Sequence, residues 1–281
     1  MMRSESATTE RVAELARLWR VAVEGTIETQ SSVVAFGRRD GEDVVLKVVR
    51  RECDEWNAGR VLEAFDGRGT VRVLQWTPGA MLLERLSPGS ALAEWSASGG
   101  DEEATEILAS VMNAMHERTH ESQSPTVEDW GRAFARYTES NDHSLPAALV
   151  SHAGETFDHL VRTQRHPQLL HGDLQHYNVL FDETRGWVAI DPKGVIGERE
   201  YEIGAALRNP VGAPGLFSAV TTIERRVNQF AERLDINVER TIQWAYAQAV
   251  LSAIWSIEDH GSPEAQASMV GLAEVLARMI H

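Results

Sequence analysis

The run His171-Gly-Asp-Leu-Gln-His-Tyr-Asn178 constrains this chain more than any other stretch. It places an acid, Asp173, and an amide, Asn178, on one loop. Val179-Leu-Phe181 after it is apolar and β-favouring. Asp182-Glu-Thr-Arg-Gly186 is turn chemistry, with a glycine free to take positive φ, and Trp187-Val-Ala-Ile190 reads as the returning strand. The spacing therefore predicts an antiparallel hairpin. Asn178 opens one strand and Asp191 closes the other, so both belong at the open end, with Asp173 on the loop that feeds it. Two oxygen-bearing side chains suit a hard divalent cation such as Mg²⁺, which takes one or two carboxylates and completes its shell with phosphate oxygens. Asp173 is then free to accept a proton from an attacking hydroxyl. Singly, each of these residues is an ordinary turn former or cap. Their conjunction is what points to chemistry.

Composition narrows the partners. The 281 residues suffice for two lobes around a shared cleft. Lys and Arg number 27 against 42 Asp and Glu, a formal charge of −15, which argues against nucleic acid and anionic membrane and fits a cationic small molecule. Solubility alone would also account for that acidity. A single cysteine, Cys53, excludes an internal disulfide and suits a cytoplasmic setting. With no histidine nearby it reads as structural, at a helix start, not as a nucleophile. The polar N-terminus is not a signal peptide, and no apolar run approaches the ~18 residues of a membrane span. No obligate protein partner is evident.

Residues 9 to 19 carry Val12, Leu15, Ala16 and Trp19 at helical spacing, with Thr8 or Thr9 as cap. Gly25 to Phe36 reads as strand, turn and strand with Thr29-Gln-Ser-Ser32 at the tip, and Val44 to Val49 as the next strand. Lys47 interrupts that strand; buried, it needs a carboxylate or an anion, and on an edge it would face solvent. Arg51 to Ala64 is predicted helical, offering Glu52 and Glu55 as partners for Lys47. Val71 to Trp76 and Met81 to Leu83 form a hairpin across Thr77-Pro-Gly-Ala80. Ser87-Pro-Gly89 marks a linker. Predicted helices then span Glu102 to Glu117, closing at His116, Thr126 to Thr138, Pro146 to Thr163, Thr221 to Arg233 and Thr241 to Asp259. A last one starts at Ser262-Pro-Glu264. His171 reads as architectural, and His176 as solvent-facing or beside a substrate. No third nitrogen or sulfur ligand appears at zinc spacing.

His171-Gly-Asp-Leu-x-x-x-Asn178 followed by Ile190-Asp191 resembles the catalytic and metal loops of the kinase superfamily. Gly172 and Pro192-Lys193 are similar to the antibiotic kinases. Ala189 to Glu198, Phe65 to Leu74 and Met81 to Gly89 resemble most the aminoglycoside 6-phosphotransferase (streptomycin 6-kinase) and hydroxyurea phosphotransferase family, over about residues 12 to 258. The resemblance implies an α+β, bilobal protein-kinase-like fold, with a small β-rich N-lobe (1–86) and a larger, mostly helical C-lobe (87–281). It implies ATP and Mg²⁺ as cofactors, Asp173 as catalytic base, and Asn178 and Asp191 on the metal. Lys47 would steady the phosphates, positioned by Glu55, whose spacing to Leu62 fits the family better than Glu52. Ser31 and Ser32 would cover the phosphates in place of a glycine-rich loop, and Glu84 to Leu86 would meet the adenine by backbone. Lys193 would neutralise phosphate or pair with an acid. Trp255, Glu258 and Asp259 are candidate substrate contacts, as is Glu202, although the family gives Tyr201-Glu202 a structural place. The implied reaction moves the γ-phosphate to the 6-hydroxyl of a streptomycin-like aminoglycoside. A kinase for another amino sugar or small metabolite is the alternative, and a nucleotide-binding pseudokinase a further one. Gln175 departs from the family's usual histidine near the cleft, which leaves the acceptor open.

Overall fold

Alternating apolar residues and tight turns build the first sheet. The computed structural model describes residues 2–115, 123–213 and 219–280. Strands β1 (Ala22–Glu28), β2 (Ser32–Arg39) and β3 (Glu42–Val49) meander antiparallel, and β4 (Val73–Thr77) and β5 (Ala80–Glu84) join β3, giving the order β1-β2-β3-β5-β4. One face, with Ala35, Leu46, Val48 and Leu82, is covered by Val12, Leu15 and Trp19 of helix α1 (Met2–Leu18). That helix begins earlier than its apolar spacing suggests, so Thr8 and Thr9 lie within it and not at a cap. The other face meets Ala58 and Leu62 of α2 (Ala58–Phe65). A continuous helix from Arg51 does not form. Asp54–Asn57 is a 3₁₀ turn, because the Gly79 N–H reaches the Trp56 carbonyl at 2.7 Å and takes an acceptor that a continuing α-helix would use.

The chain leaves this lobe between Glu84 and Pro88. Helix α3 (Leu92–Trp95) runs through a kinked turn, Ser96–Gly100, into α4 (Asp101–Met115). His116, expected to close that helix, lies outside the described residues. Helices α5 (Val127–Glu139) and α6 (Ala147–Arg162) follow, close to their predicted spans; Thr126 and Asp129 form a reciprocal capping box on α5. Then come α7 (Arg199–Leu207), α8 (Val220–Leu234), α9 (Val238–Glu258) and α10 (Pro263–Ala277), the last two capped by Asn237 and Ser262. Helix α9 is apolar nearly all round, as a helix at the centre of a lobe must be, and Trp244, Ala247, Leu251 and Ile254 are buried against α6, α7 and α10.

Two small sheets carry the site. Strands β6 (Pro88–Ala91), β8 (Val179–Asp182) and β9 (Gly186–Ala189) pair in the order β6-β8-β9, and β7 (Gln168–Leu170) pairs with β10 (Val195–Gly197). The β8–β9 hairpin is antiparallel with Phe181 opposite Trp187, in the register the sequence pattern requires. The lobes are fastened behind the cleft. The Val71 N–H donates to the Ala189 carbonyl and the Ala189 N–H to the Gly69 carbonyl, both at 2.8 Å, and Val61 and Phe65 of α2 enter the core of the helical lobe. This is a bilobal α+β fold.

Candidate active site

The loop from His171 to Asn178 is held from beneath. Gly172 takes φ +82°, and a Cβ there would come within 2.9 Å of the Trp130 ring, so glycine is required on both counts. The Gly172 and Leu174 N–H groups donate to Glu202 of α7, at 3.0 and 3.3 Å. Glu202 is 2% exposed. It is therefore a latch under the loop, not a wall of the cleft, which corrects its reading as a substrate contact. Burial pushes its pKa up to about 7, against the backbone N–H groups of Leu174, Gly172 and His171 that favour the anion. The folded state thus holds a proton that the unfolded chain releases above its ordinary value of 4.5. The stability from this proton is complete below pH 4.5 and is lost as pH rises through about 7. Glu202→Gln should remove that slope, so chemical denaturation of parent and variant should diverge by about 3 kcal/mol between pH 4.5 and 8. Parallel profiles would show an ionised Glu202 throughout.

His171 is fully buried. Its Nε2 faces the Ile190 carbonyl at 2.9 Å and its Nδ1 accepts from the Asp173 N–H at 3.3 Å. Burial holds its pKa down, so the ring is neutral with its proton on Nε2, and it joins the loop to the strand before Asp191. The Asn178 Nδ2 donates to the Asp173 carbonyl at 2.9 Å, and the Ile190 N–H donates to the Asn178 carbonyl at 2.8 Å. These bonds set Asp173, Asn178 and Asp191 around one end of the hairpin. Asp191 sits in the left-handed region, φ +57°, tolerated by Asp but uncommon, and held by the bonds on either side of it.

Lys47 is buried, 6% exposed, and its Nζ lies 2.6 Å from Glu55 and 2.7 Å from Asp191. Burial opposes its charge, and the Asp191 and Glu55 carboxylates outweigh that, so its pKa stands above the ordinary lysine value. Glu52 makes no such pair. The Asn178 Oδ1 and the Asp191 Oδ2 accept no hydrogen bond among the described residues. They are hard oxygen donors on neighbouring strand ends, which fits one divalent cation. Among the described residues no three His, Cys, Asp or Glu side chains form a metal cage, so such an ion would complete its shell from phosphate and water. From Lys47 and Asp191 a cavity of about 370 Å³ runs between the lobes to the backbone of Glu84, Arg85 and Leu86. Val34, Val45, Leu83 and Leu180 line it, an apolar slot of the size that takes a planar base. The Glu84 side chain turns away to pair with Arg185. Ser32 is buried and its hydroxyl bonds Thr29, and the Ser31 carbonyl takes the Arg50 N–H. That tip therefore has backbone to offer a phosphate, with the Ser32 hydroxyl already engaged.

The family profile for aminoglycoside/hydroxyurea antibiotic resistance kinases matches residues 17–260. The chain belongs to that family. It is 33% identical over 248 residues to a streptomycin 3''-kinase of Klebsiella pneumoniae, covering 86% of this chain and 90% of that protein. It is 29% identical to a streptomycin 6-kinase of Streptomyces griseus, covering 95% and 88%. Among solved structures, an aminoglycoside phosphotransferase bound to ADP and hygromycin B superposes with a TM-score of 0.63 at 16% identity, covering 94% of this chain and 97% of that one. The molecule is thus a kinase, a phosphotransferase with an alcohol group as acceptor. Among the described residues no helix is long and apolar enough to cross a membrane.

In this antibiotic-resistance kinase the remaining candidates fall into two groups. Trp255 is partly buried against the helical core, with the Lys193 Nζ 5.9 Å from its ring centre and Trp130 packed edge-on at 5.5 Å. Glu258 is bound by the Arg136 guanidinium at 3.1 Å, and Asp259 is an exposed C-cap. Lys193 also lies 3.9 Å from Asp54 of the 3₁₀ turn, the acid pairing expected as one of its two roles. Cys53 is exposed at the start of that turn.

Two residues escaped the sequence reading. Arg208, at the end of α7, holds its guanidinium 3.8 Å from the Asp173 carboxylate and is anchored by the Gln248 Oε1 at 2.9 Å. Its signal was a lone arginine closing the apolar run Ile203 to Leu207. His176 is fully buried instead of solvent-facing, because the 3₁₀ turn His176–Asn178 rolls it inward. Neither ring nitrogen has a hydrogen-bond partner among the described residues, and burial, with the nearby Arg226 charge, holds its pKa down to about 3. It is a neutral core residue.

Proposed function

We propose that this kinase transfers the γ-phosphate of Mg-ATP to a hydroxyl of streptomycin or a close aminocyclitol relative, with the 6-hydroxyl as acceptor. The observation that carries the reading is the convergence of Asp173, Asn178, Asp191 and Lys47 at one end of a base-sized slot. Asp173 accepts the acceptor's proton, and Arg208 faces its carboxylate as a counter-charge. Lys47, fixed by Glu55, takes the phosphates. Asn178 and Asp191 would hold Mg²⁺, which would supply positive charge against the charge developing on the phosphate. Glu84 to Leu86, which line the slot, would meet the adenine by backbone. Catalysis is then chiefly positioning and charge neutralisation. The excess of carboxylates over cations suits a polycationic acceptor.

Identity to relatives named for two different streptomycin hydroxyls makes the position a separate question. Mg-ATP is offered with streptomycin, other aminoglycosides, hydroxyurea and glucosamine, and the product's phosphate ester is located by NMR. Phosphorylation at the streptomycin 6-hydroxyl is expected. An ester at the 3'' position would keep the substrate and move the hydroxyl. Transfer only to hydroxyurea or an amino sugar would overturn the substrate. Nucleotide binding with no transfer to any acceptor would favour a nucleotide-sensing role.

A further inference from the structure

The β6–β8–β9 sheet has two faces, and the nucleotide slot uses one. Leu180 points into the slot. Its neighbour Phe181 points the other way, as alternation along a strand requires, into a cavity of about 490 Å³ behind the sheet. This cavity is larger than the slot. Phe181 and Trp187 pair across the hairpin with ring centres 5.3 Å apart and form its floor, and Ile107 of α4 closes one side. Trp95 stands at the mouth, 46% exposed. The opposite wall is the kinked turn Ser96–Gly100, in which Gly99 takes φ +107°. Gly100 lies against the Trp95 indole so closely that a Cβ would collide with it. Beneath the turn, Asp101 is bound by Ser96, Arg225 and Arg226, which makes the wall rigid.

Two carboxylates reach this aromatic cavity, Glu94 of α3 and Glu103 of α4. The Trp95 indole N–H donates to Glu103 at 3.2 Å, and neither acid has a cationic partner among the described residues. The other acid on this flank differs: Glu106 is paired with Arg233. Aromatic faces beside unpaired carboxylates are the recognition chemistry of an organic cation, through ring quadrupole and ion pair together.

We propose that this cavity is a second ligand site, for a small organic cation: an amine or guanidine carried on a compact aromatic or ring-shaped body. The ring inserts between Trp95 and the Phe181–Trp187 pair, and the charge faces Glu94 and Glu103. The site is separate from the acceptor cleft and holds whatever the phosphorylated substrate is. Its occupant touches the strand whose other face floors the nucleotide slot, so the two sites share β8.

The test is calorimetric titration of the full chain with 2-phenylethylguanidine, against 2-phenylethanol and 3-phenylpropanoate as neutral and anionic controls. The guanidine is expected to bind at least about tenfold more tightly than either control. The double variant Glu94→Gln/Glu103→Gln, exposed on the surface and expected to melt with the parent, should weaken it by about tenfold. Asp173→Asn should leave it unchanged, which excludes binding in the acceptor cleft. Equal binding of the alcohol, retention of affinity in the double variant, or no binding at millimolar guanidine would each overturn the proposal.

Discussion

Asp173→Asn is expected to lower the turnover number by about 10²–10⁴-fold, the usual contribution of a positioned general base, and to leave the affinity for Mg-nucleotide and the melting temperature close to the parent's. The shape is conserved. The loop's position rests on bonds that this side chain barely shares: the Glu202 latch under Gly172 and Leu174, the His171 ring to the Ile190 carbonyl, and Asn178 to the backbone carbonyl of residue 173. An amide there still fills the space but does not take a hydroxyl proton. It also leaves the Arg208 guanidinium without its carboxylate 3.8 Å away, though Gln248 continues to hold that side chain. The loss should fall on kcat and not on KM for ATP, because the nucleotide slot lies on the far side of Asp191. Turnover within a few-fold of the parent would remove Asp173 from the chemistry. A large rise in KM for ATP would place it on the nucleotide instead.

What a sequence can show here is local pattern, and what it misses is chosen by contacts far along the chain. The β8–β9 hairpin follows from Val179-Leu-Phe, a turn ending in Gly186 and Trp187-Val-Ala, and its open end necessarily brings Asn178 beside Asp191. A lysine inside the apolar strand Val44–Val49 needed an acid, and Glu55 is there at 2.6 Å. The starts of α5 and α10 are written in Thr126-x-x-Asp129 and Ser262-Pro263. The 3₁₀ turn at Asp54–Asn57 is different: it depends on the Gly79 N–H, which no local pattern reports. Glu202 and His176 are polar residues that solvent would ordinarily claim. One is buried because three backbone N–H groups converge on it, the other because the chain turns tightly before Asn178. Arg208 reaches Asp173 only after α7 has packed under the loop. The kink at Ser96–Gly100 turns on Gly99 at φ +107°, and Ser96 is fastened to Asp101 across it.

Asp191→Asn should cost about 10²–10³-fold in turnover, the scale of removing one electrostatic stabiliser from a transferring group, and should raise the Mg²⁺ concentration for half-maximal rate. Both effects come from one lost charge. Asp191 gives one oxygen to Lys47 and keeps the other free beside Asn178, which is neutral. An Asn there presents an oxygen at the same place but leaves a hard divalent ion facing two amides, a poor substitute for a carboxylate. Lys47 keeps Glu55 at 2.6 Å, so its charge stays paired and the strand stays folded. The backbone at residue 191 tolerates the change, since Asn accepts the left-handed conformation as readily as Asp. The nucleotide without metal should therefore bind the variant about as well as the parent, while the Mg-nucleotide loses its advantage. Titrating Mg²⁺ at saturating ATP and acceptor separates the two terms. Near-normal turnover with an unchanged Mg²⁺ requirement would sink the assignment of Asp191 to the metal, and leave it as the acid that merely holds Lys47. Loss of nucleotide binding with or without metal would show instead that the Lys47–Asp191 pair shapes the phosphate end of the slot.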